Sequence, residues 1–251
     1  LGIALMQPGS VNGVDARARI AAERPEVVCI CAFGALIEEP LLSDHELVNV
    51  HPSLLPRWRG AAPVERAIEA GDAETGVSIM RLVAELDAGP VCLRRGEPIA
   101  PDDDYGSLSA RLAALGGQLL VEALDARPPY VPQPSEGVTY AEKIRPADRF
   151  LDPSLPPGLL ERRVRALRPH VGTWVALPRG ERLGVLRAAV VDERSPGDGA
   201  LDARADRLLY GAGGGTLELL EVQPAGGRPM AAAAYLRGHA AALGLPARRA
   251  E

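Results

Sequence analysis

The chain has 251 residues, of which 47% are hydrophobic and 24% are charged, a composition typical of globular proteins. This length allows one large domain or two modest ones. Its apolar runs are far shorter than the ~18 residues that span a bilayer, and no basic segment followed by an apolar one opens the chain. These features exclude a disordered, fibrous or membrane-spanning protein, and we expect a cytoplasmic one.

The charge is unevenly distributed along the chain. The formal net charge is −5 overall, but residues 1–139 carry a net −9 and residues 140–251 a net +4. Such an asymmetry indicates either a polyanionic partner for the second half or only a well-solvated surface. On charge alone the two interpretations are equal.

The three cysteines lie in apolar surroundings. Cys29 and Cys31 belong to the run Val27–Phe33, and Cys92 lies between two apolar neighbours. We expect small buried side chains in a reducing compartment. The cysteines lack metal-ligand spacing with a nearby histidine, so we predict no metal site.

Strands and helices alternate in the first half, which indicates an α/β layer architecture with ligands at the carboxyl ends of its strands. The run Val27–Phe33 resembles a strand covered on both faces in a parallel sheet. Pro63 suits a helix start and Gly71 a left-handed helix end, while Asp104 can cap a long helix. The remaining predicted elements are helices over 15–24 and 39–42 and strands over 47–50, 77–82 and 91–93.

Prolines accumulate between residues 126 and 157, where the periodicity fades, and this predicts a linker. A short helix is expected over 158–167. Beta-type segments near 172–177, 183–191, 207–210 and 216–222, separated by glycine-rich turns, then predict a small barrel. The chain opens on Leu1-Gly2-Ile3-Ala4-Leu5, which looks like the middle of a fold, and we expect a missing N-terminal piece.

Two polar residues capable of catalysis end the strand near residue 50. Asn49 and His51 are two apart, so both side chains emerge on one face of the strand. Histidine exchanges a proton near neutral pH, and an amide can donate to a developing oxyanion. Asp87, on a loop stiffened by Gly89 and Pro90, could orient the histidine and favour its charged form. Taken alone, such a pair is more often structural.

The combination of motifs is more specific. Three motifs occur in the order and spacing found in formyltransferases that use 10-formyltetrahydrofolate: Asn49-Val50-His51-Pro52-Ser53-Leu54-Leu55-Pro56, Gly71–Val77 and Glu85–Pro90. Within that superfamily the run Arg57-Trp58-Arg59-Gly60-Ala61-Ala62-Pro63 most resembles the methionyl-tRNA formyltransferases. Thr139–Ile144 and Val222–Gly226, with Arg228-Pro229-Met230, are similar to the linker and second domain of the same family.

The resemblance implies a Rossmann-like formyltransferase domain over residues 1–130 with its first βαβ unit missing, a linker over 131–156 and an OB-like, tRNA-binding barrel over 157–251. It also implies formyl transfer from 10-formyltetrahydrofolate to the amino group of methionyl initiator tRNA. By matching positions, Asn49, His51 and Asp87 are the catalytic residues. Asn49 and protonated His51 would stabilise the oxyanion, while Asp87 keeps His51 charged and helps to remove the amine proton through water. We expect a monomer.

The resemblance also implies ligand contacts. The folate would bind along the first strand end, the proline loop and the loop before Asp87, at residues Ala32, Phe33, Gly34, Leu36, Ile37, Ser53, Leu54, Leu55, Pro56, Val83, Glu85 and Leu86. Arg57 and Arg59 either contact the tRNA end or brace their loop. Phosphates favour a basic second domain, where Arg162, Arg163, Arg165 and Arg168 are the candidate contacts.

Two alternatives remain. A sugar-nucleotide formyltransferase shares the Asn-x-His and Asp signature, although it would lack the run from Arg57 to Pro63 and the basic second domain. A chain without its first βαβ unit could instead be an inactive fragment that binds nucleic acid.

Overall fold

The computed structural model of the chain describes residues 2–239. Two compact units share the sequence in alternating segments. Of the described residues, the first contains 2–63 with Thr75–Glu97 and Leu112–Ala141, and the second contains Val64–Glu74, Pro98–Arg111 and 142–239. The division into 1–130, 131–156 and 157–251 expected above stays a prediction.

The elements of the first half alternate between helix and strand, as the sequence predicts. In chain order they are α1 Val14–Glu23, β1 Val28–Cys31, α2 Leu41–Asp44, β2 Leu47–His51, β3 Arg59–Gly60, α3 Pro63–Ala70, β4 Glu74–Arg81, β5 Val91–Pro98 and α4 Tyr105–Ala126. The second half follows with β6 Tyr140–Ala141, a 3₁₀ turn Pro146–Arg149, α5 Pro157–Leu167, β7 Thr173–Ala176, β8 Arg182–Val191, β9 Leu201–Arg204, β10 Arg207–Ala212, β11 Gly215–Pro224, β12 Met230–Ala231 and α6 Ala232–His239.

The first unit is built on a four-stranded sheet with the order β1-β2-β4-β5. Strands β1 and β2 are parallel, with Cys31 opposite Val50. Strand β2 runs antiparallel to β4, with His51 opposite Ser78. The sheet is therefore mixed: β1 has the parallel partner that its sequence predicts, and β2 and β4 are antiparallel.

The expectation that the cysteines of β1 are buried is also wrong. Cys29 and Cys31 are exposed, and only Ile30 between them is buried. Cys29 and Cys31 lie on one face of β1 and Ile30 on the other, so in the described part of the chain the face that carries the cysteines is uncovered. An all-apolar run led to the wrong prediction because it does not show whether both faces of a strand are covered.

Helix α4 begins and packs as its sequence predicts. The carboxylate of Asp104 accepts the backbone N–H of Ser107 at 2.9 Å, which is the predicted cap. Leu112 and Leu119 are buried on the part of the helix that belongs to the first unit. Gly116 lets that helix approach the sheet, since a Cβ at this position would lie 2.9 Å from Cγ1 of Val50. Val50 therefore points to the helix, and its neighbours in β2 point to the other face.

The second unit has a six-stranded antiparallel sheet in the order β7-β8-β11-β10-β9, with β12 paired to β11. Its core is apolar, and the buried Tyr210 hydroxyl donates to the carbonyl of Leu151 at 2.8 Å. The predicted strands are confirmed, while the short β9 and β12 were missed. Both are too short for their alternation to be recognised. Closure of this sheet into a barrel stays an expectation.

Part of the predicted linker is structured in the first unit. Tyr140–Ala141 form β6, which pairs in parallel with β3, Tyr140 opposite Arg59. The amide of Ala61 also donates to the carbonyl of Ala141 at 2.9 Å. The proline loop after His51 is therefore fixed by residues some eighty positions later in the chain.

Two adjacent glycines of α4 provide a matched pair for testing its packing. Gly117→Ala adds a methyl group in open space and should raise the free energy of unfolding by about 0.5–1 kcal/mol through helix propensity. Gly116→Ala brings the same gain but overlaps Val50, so we expect a net loss of about 1 kcal/mol. Urea denaturation of the two variants measures the difference, and equal stabilities would contradict the close packing described here.

Candidate active site

Strand β2 brings the two predicted polar side chains to one face of the sheet. Asn49 and His51 alternate with Val50, which faces α4. Asn49 is half-buried, whereas His51 is only 3% exposed. The strand thus presents an amide and an imidazole side by side on the face opposite the helix.

The imidazole of His51 lies between a carbonyl and a carboxylate. Its Nε2 is 2.9 Å from the carbonyl oxygen of Trp58, and its Nδ1 is 3.7 Å from Oδ2 of Asp87. A carbonyl only accepts hydrogen bonds, so Nε2 carries a proton and donates it. In the neutral ring, Nδ1 is then the unprotonated nitrogen, and it faces Asp87.

The surroundings of His51 set its charge. Burial lowers the pKa of His51, and the carboxylate of Asp87 and the hydrogen bond to the carbonyl of Trp58 oppose this shift without cancelling it. Asp87 therefore favours the charged form of His51 less strongly than burial disfavours it, and the expectation that Asp87 keeps His51 protonated during the reaction stays a prediction. The cost of burying a cation exceeds the attraction of a carboxylate 3.7 Å away. The ring is neutral near pH 7 and has a free acceptor at Nδ1.

Asp87 is held by its loop. Its backbone is left-handed, with φ of +47°, and its Oδ2 accepts the amide N–H of Gly60 at 2.8 Å. The same oxygen thus faces both Gly60 and His51. A non-glycine residue in this conformation carries strain, which is typical of functional sites. Trp58 and Ala32 also have positive φ, at +62° and +50°.

The proline loop between His51 and Trp58 is fixed by two buried serines. The Ser53 hydroxyl donates to the carbonyl of Arg57 at 2.5 Å. Ser78 on β4 donates to the carbonyl of Ser53 at 2.7 Å and accepts the amide of Leu55 at 3.1 Å. These bonds replace the backbone partners that the loop lacks.

The predicted folate residues fall into two groups. The side chains of Phe33, Leu36 and Leu86 are exposed apolar groups. Four more of the predicted residues are exposed: Ala32, Gly34, Val83 and Glu85. Two are half-buried, Ile37 and Leu54. By contrast Ser53, Leu55 and Pro56 are buried, and their contacts with folate stay a prediction. Their burial stabilises the loop, and they retain only backbone groups for a ligand.

Gln133, which the sequence does not identify as a site residue, connects β3 to the loop that contains Asp87. The Gln133 side-chain oxygen accepts Nε and Nη2 of Arg59 at 3.0 and 2.9 Å, and its nitrogen donates to the carbonyls of Asp87 and Gly89, both at 2.7 Å. A glutamine among prolines carries no signal in the sequence. Only the folded chain brings it to the loops.

Arg59 therefore braces its loop, one of the two roles left open above. It is 7% exposed, with its guanidinium on Gln133 and 3.5 Å from Glu85. A contact of Arg59 with tRNA is contradicted by this burial. The guanidinium of Arg57 lies 4.5 Å from the centre of the Trp58 ring.

The arginines of α5 are also used within the second unit. Arg163 pairs with Glu69 at 2.6 Å, Arg162 donates to the carbonyl of Glu69 at 2.9 Å, and Arg165 binds Glu161 at 2.7 Å. These partners occupy part of each half-buried guanidinium, and the expectation that Arg162, Arg163 and Arg165 contact phosphates stays a prediction. Like-charged runs on a helix do not reveal such partners, because Glu69 lies ninety residues earlier.

A basic pocket of about 380 Å³ lies elsewhere in the second unit. Arg168 lines it, together with Arg149 and Arg182. The Arg182 guanidinium lies 4.4 Å from the centre of the Trp174 ring, which orients its N–H groups. Arg149 donates to the carbonyl of Gly172 at 3.2 Å, and Arg168 lies 3.6 Å from Asp104. This pocket concentrates three cations around one opening.

Neither a metal-binding cluster nor a membrane-spanning helix is present in residues 2–239. No group of three or more His, Cys, Asp or Glu side chains could hold a metal ion. None of the described helices is long and apolar enough to cross a membrane.

Family models match both parts of the chain. The formyl transferase model covers residues 5–124, and the model of the formyl transferase C-terminal domain covers residues 143–240. Together with the α/β sheet and the Asn49, His51 and Asp87 arrangement, these matches define a formyl transferase.

Two relatives indicate which family of formyl transferases the chain belongs to. The chain is 42% identical over 246 residues to the methionyl-tRNA formyltransferase of Dechloromonas aromatica, covering 97% of this chain and 80% of that protein. It is 44% identical over 250 residues to the enzyme of the same name from Paramagnetospirillum magneticum, covering 95% and 79%. The chain belongs to the methionyl-tRNA formyltransferase family.

Solved structures agree on the fold. Methionyl-tRNA formyltransferase from Clostridium thermocellum matches 74% of this chain and 81% of its own with a TM-score of 0.61 at 18% identity. HypX from Aquifex aeolicus, solved in complex with tetrahydrofolic acid, matches 86% of this chain and 40% of its own with a TM-score of 0.64 at 20% identity.

The neutral state of His51 can be measured directly. We expect NMR titration to place the pKa of its ring below the ordinary 6.5, because burial outweighs Asp87. Asp87→Asn removes the opposing charge and should lower that pKa further. The unfolded chain then binds the extra proton, so protonation of His51 lowers the free energy of unfolding as the pH falls below about 6.5. A wild-type pKa above 6.5 would contradict this description.

Proposed function

We propose that this protein transfers a formyl group from 10-formyltetrahydrofolate to the amino group of methionyl initiator tRNA. The observation that carries the proposal is the placement of Asn49 and His51 on one strand face with Asp87 at 3.7 Å from the imidazole. The names of relatives at 42–44% identity support the choice of substrates.

The chemistry follows from the states of the three side chains. The neutral amine attacks the formyl carbon, a C–N bond forms, and the carbonyl electron pair moves to oxygen. The Asn49 amide donates to that oxyanion, an interaction worth on the order of 3 kcal/mol. The amine proton passes to the His51 and Asp87 pair, directly or through water, since Nδ1 of the neutral ring accepts it. Collapse expels N10 of tetrahydrofolate, which takes the proton from the pair.

We propose that the folate binds against the exposed apolar side chains of the first unit. Phe33 and Leu36 follow β1, and Val83 and Leu86 precede Asp87. Apolar groups left in water next to polar, strained loops are typical of a ligand surface. Ala32, Gly34, Ile37, Leu54 and Glu85 complete this proposed surface, and the buried Ser53, Leu55 and Pro56 contribute backbone groups only.

For the tRNA, the proposed contacts move from α5 to the basic pocket. Arg149, Arg168 and Arg182 line one opening of about 380 Å³, whereas Arg163 and Arg165 are occupied by carboxylates. A guanidinium bound to a phosphate releases counterions, so such contacts give a steep salt dependence. Phosphate contacts at this pocket would explain the net positive charge of residues 140–251.

Formyl transfer is tested with charged initiator tRNA and 10-formyltetrahydrofolate. His51→Asn should lower the rate at least ~100-fold, because it removes the proton acceptor, while tRNA binding stays unchanged. His45→Asn is the control, since His45 lies outside the site after α2. Near-normal turnover of His51→Asn would refute the assignment. Binding of tRNA without any formyl transfer in the wild type would favour the nucleic-acid-binding alternative, and transfer to an amino-sugar nucleotide only would favour the sugar alternative.

The tRNA contacts are tested by removing one charge of the pocket. Arg182→Gln should weaken tRNA binding and reduce the slope of log K against log salt by about 1. Arg187→Gln, on the exposed side of the same strand and outside the pocket, is the matched control and should leave the slope closer to the wild-type value. Equal effects of the two variants would show that only overall charge matters.

A further inference from the structure

The Gln133 side chain uses its full hydrogen-bonding capacity. Its oxygen accepts two bonds from Arg59, and its two N–H groups are directed at the carbonyls of Asp87 and Gly89, with all four distances between 2.7 and 3.0 Å. An amide can accept two bonds at oxygen and donate two at nitrogen. Its orientation is therefore determined, since a flipped amide would place oxygen against two carbonyls and N–H groups against a guanidinium.

The position of Gln133 is fixed from its backbone side. Two residues before it, Val131 exchanges both backbone hydrogen bonds with Val91 at the start of β5, at 2.9 and 3.0 Å. The side chain thus extends from a paired backbone to the loop that precedes the same strand. Any displacement of that loop breaks bonds to an anchored group.

The guanidinium of Arg59, which donates to the Gln133 oxygen, is a buried charge. Arg59 is 7% exposed, and its carboxylate neighbour Glu85 is 3.5 Å away with a side chain that is 71% exposed. Solvent weakens that ion pair. The two shorter bonds that Arg59 donates to the Gln133 oxygen compensate for the burial of the guanidinium, and they tie β3 to the Asp87 loop. Gly60 in β3 donates to Asp87 as well.

We propose that Gln133 is a positioning residue, which holds Asp87 at the distance from His51 that formyl transfer requires. Gln133 acts on the carbonyl of Asp87, and the carboxylate of the same residue faces Nδ1 of His51. The segment between the two predicted domains is thereby part of the active-site support. The expected effect of Gln133 on turnover rests on the proposed function. Its expected effect on the pKa of His51 does not.

The test uses two variants with different predicted effects. Gln133→Leu keeps the size and loses all four bonds, whereas Gln133→Glu keeps an acceptor for Arg59 and places oxygen against the two carbonyls. Both should displace the Asp87 loop, so both should lower kcat by about 10-fold to 100-fold with a smaller change in the KM for the folate. Gln118→Leu, at an exposed position of α4, is the control with unchanged kinetics.

A second readout separates positioning from general damage. Asp87 raises the pKa of His51 against the effect of burial, so a displaced Asp87 should lower the NMR titration midpoint of His51 in Gln133→Leu, which adds no charge of its own. A folded Gln133→Leu protein with unchanged midpoint and unchanged kcat would overturn the proposal. If the wild type shows no formyl transfer, the proposed function fails while the midpoint still tests the positioning.

A double variant distinguishes displacement of Asp87 from a loss of stability. The double variant Arg59→Met with Gln133→Leu removes the buried charge together with its partner, which costs less than leaving a charge unpaired. The double variant should regain the stability lost in Gln133→Leu and keep the lowered His51 midpoint. A double variant with a wild-type midpoint would overturn the proposal.

Discussion

The site depends on one buried imidazole held between a carbonyl and a carboxylate. The Trp58 carbonyl requires a proton on Nε2 of His51, which leaves Nδ1 facing Asp87. Because burial disfavours the cation, the ring is neutral and is prepared to accept a proton.

The backbone around this imidazole is strained at three positions. Ala32, Trp58 and Asp87 all have positive φ without being glycines. Such conformations cost free energy and persist only where neighbouring contacts determine them. Here the contacts are identifiable, since the Trp58 amide donates to the Thr139 hydroxyl at 2.9 Å and Gly60 donates to Asp87. The strain is therefore balanced by residues from the segment before the second sheet as well as by the loop itself.

Arginine has two different uses in this chain. Arg59, Arg163 and Arg165 are half-buried or buried and bind carboxylates, amides and carbonyls of their own unit. Arg149, Arg168 and Arg182 instead surround an open pocket in the second unit. The planar guanidinium makes several directed bonds and stays charged when buried, which suits both uses. Counting basic residues along the sequence cannot separate them, because the separating feature is whether the folded chain places the side chain at the open pocket.

The sequence alone determined the class of fold, most of the strands and helices, and the likeness to a formyltransferase. Periodicity and capping residues such as Pro63, Gly71 and Asp104 are local signals, so they can be read without a structure. The exposure of Cys29 and Cys31, the neutral state of His51 and the roles of Arg59 and Arg163 were decided by tertiary structure. Each depends on which distant groups come close: the groups that cover a strand face, the burial of a ring, or carboxylates and amides such as Glu69 and Gln133. No local pattern contains that information, and Gln133 was for this reason invisible until the chain was folded.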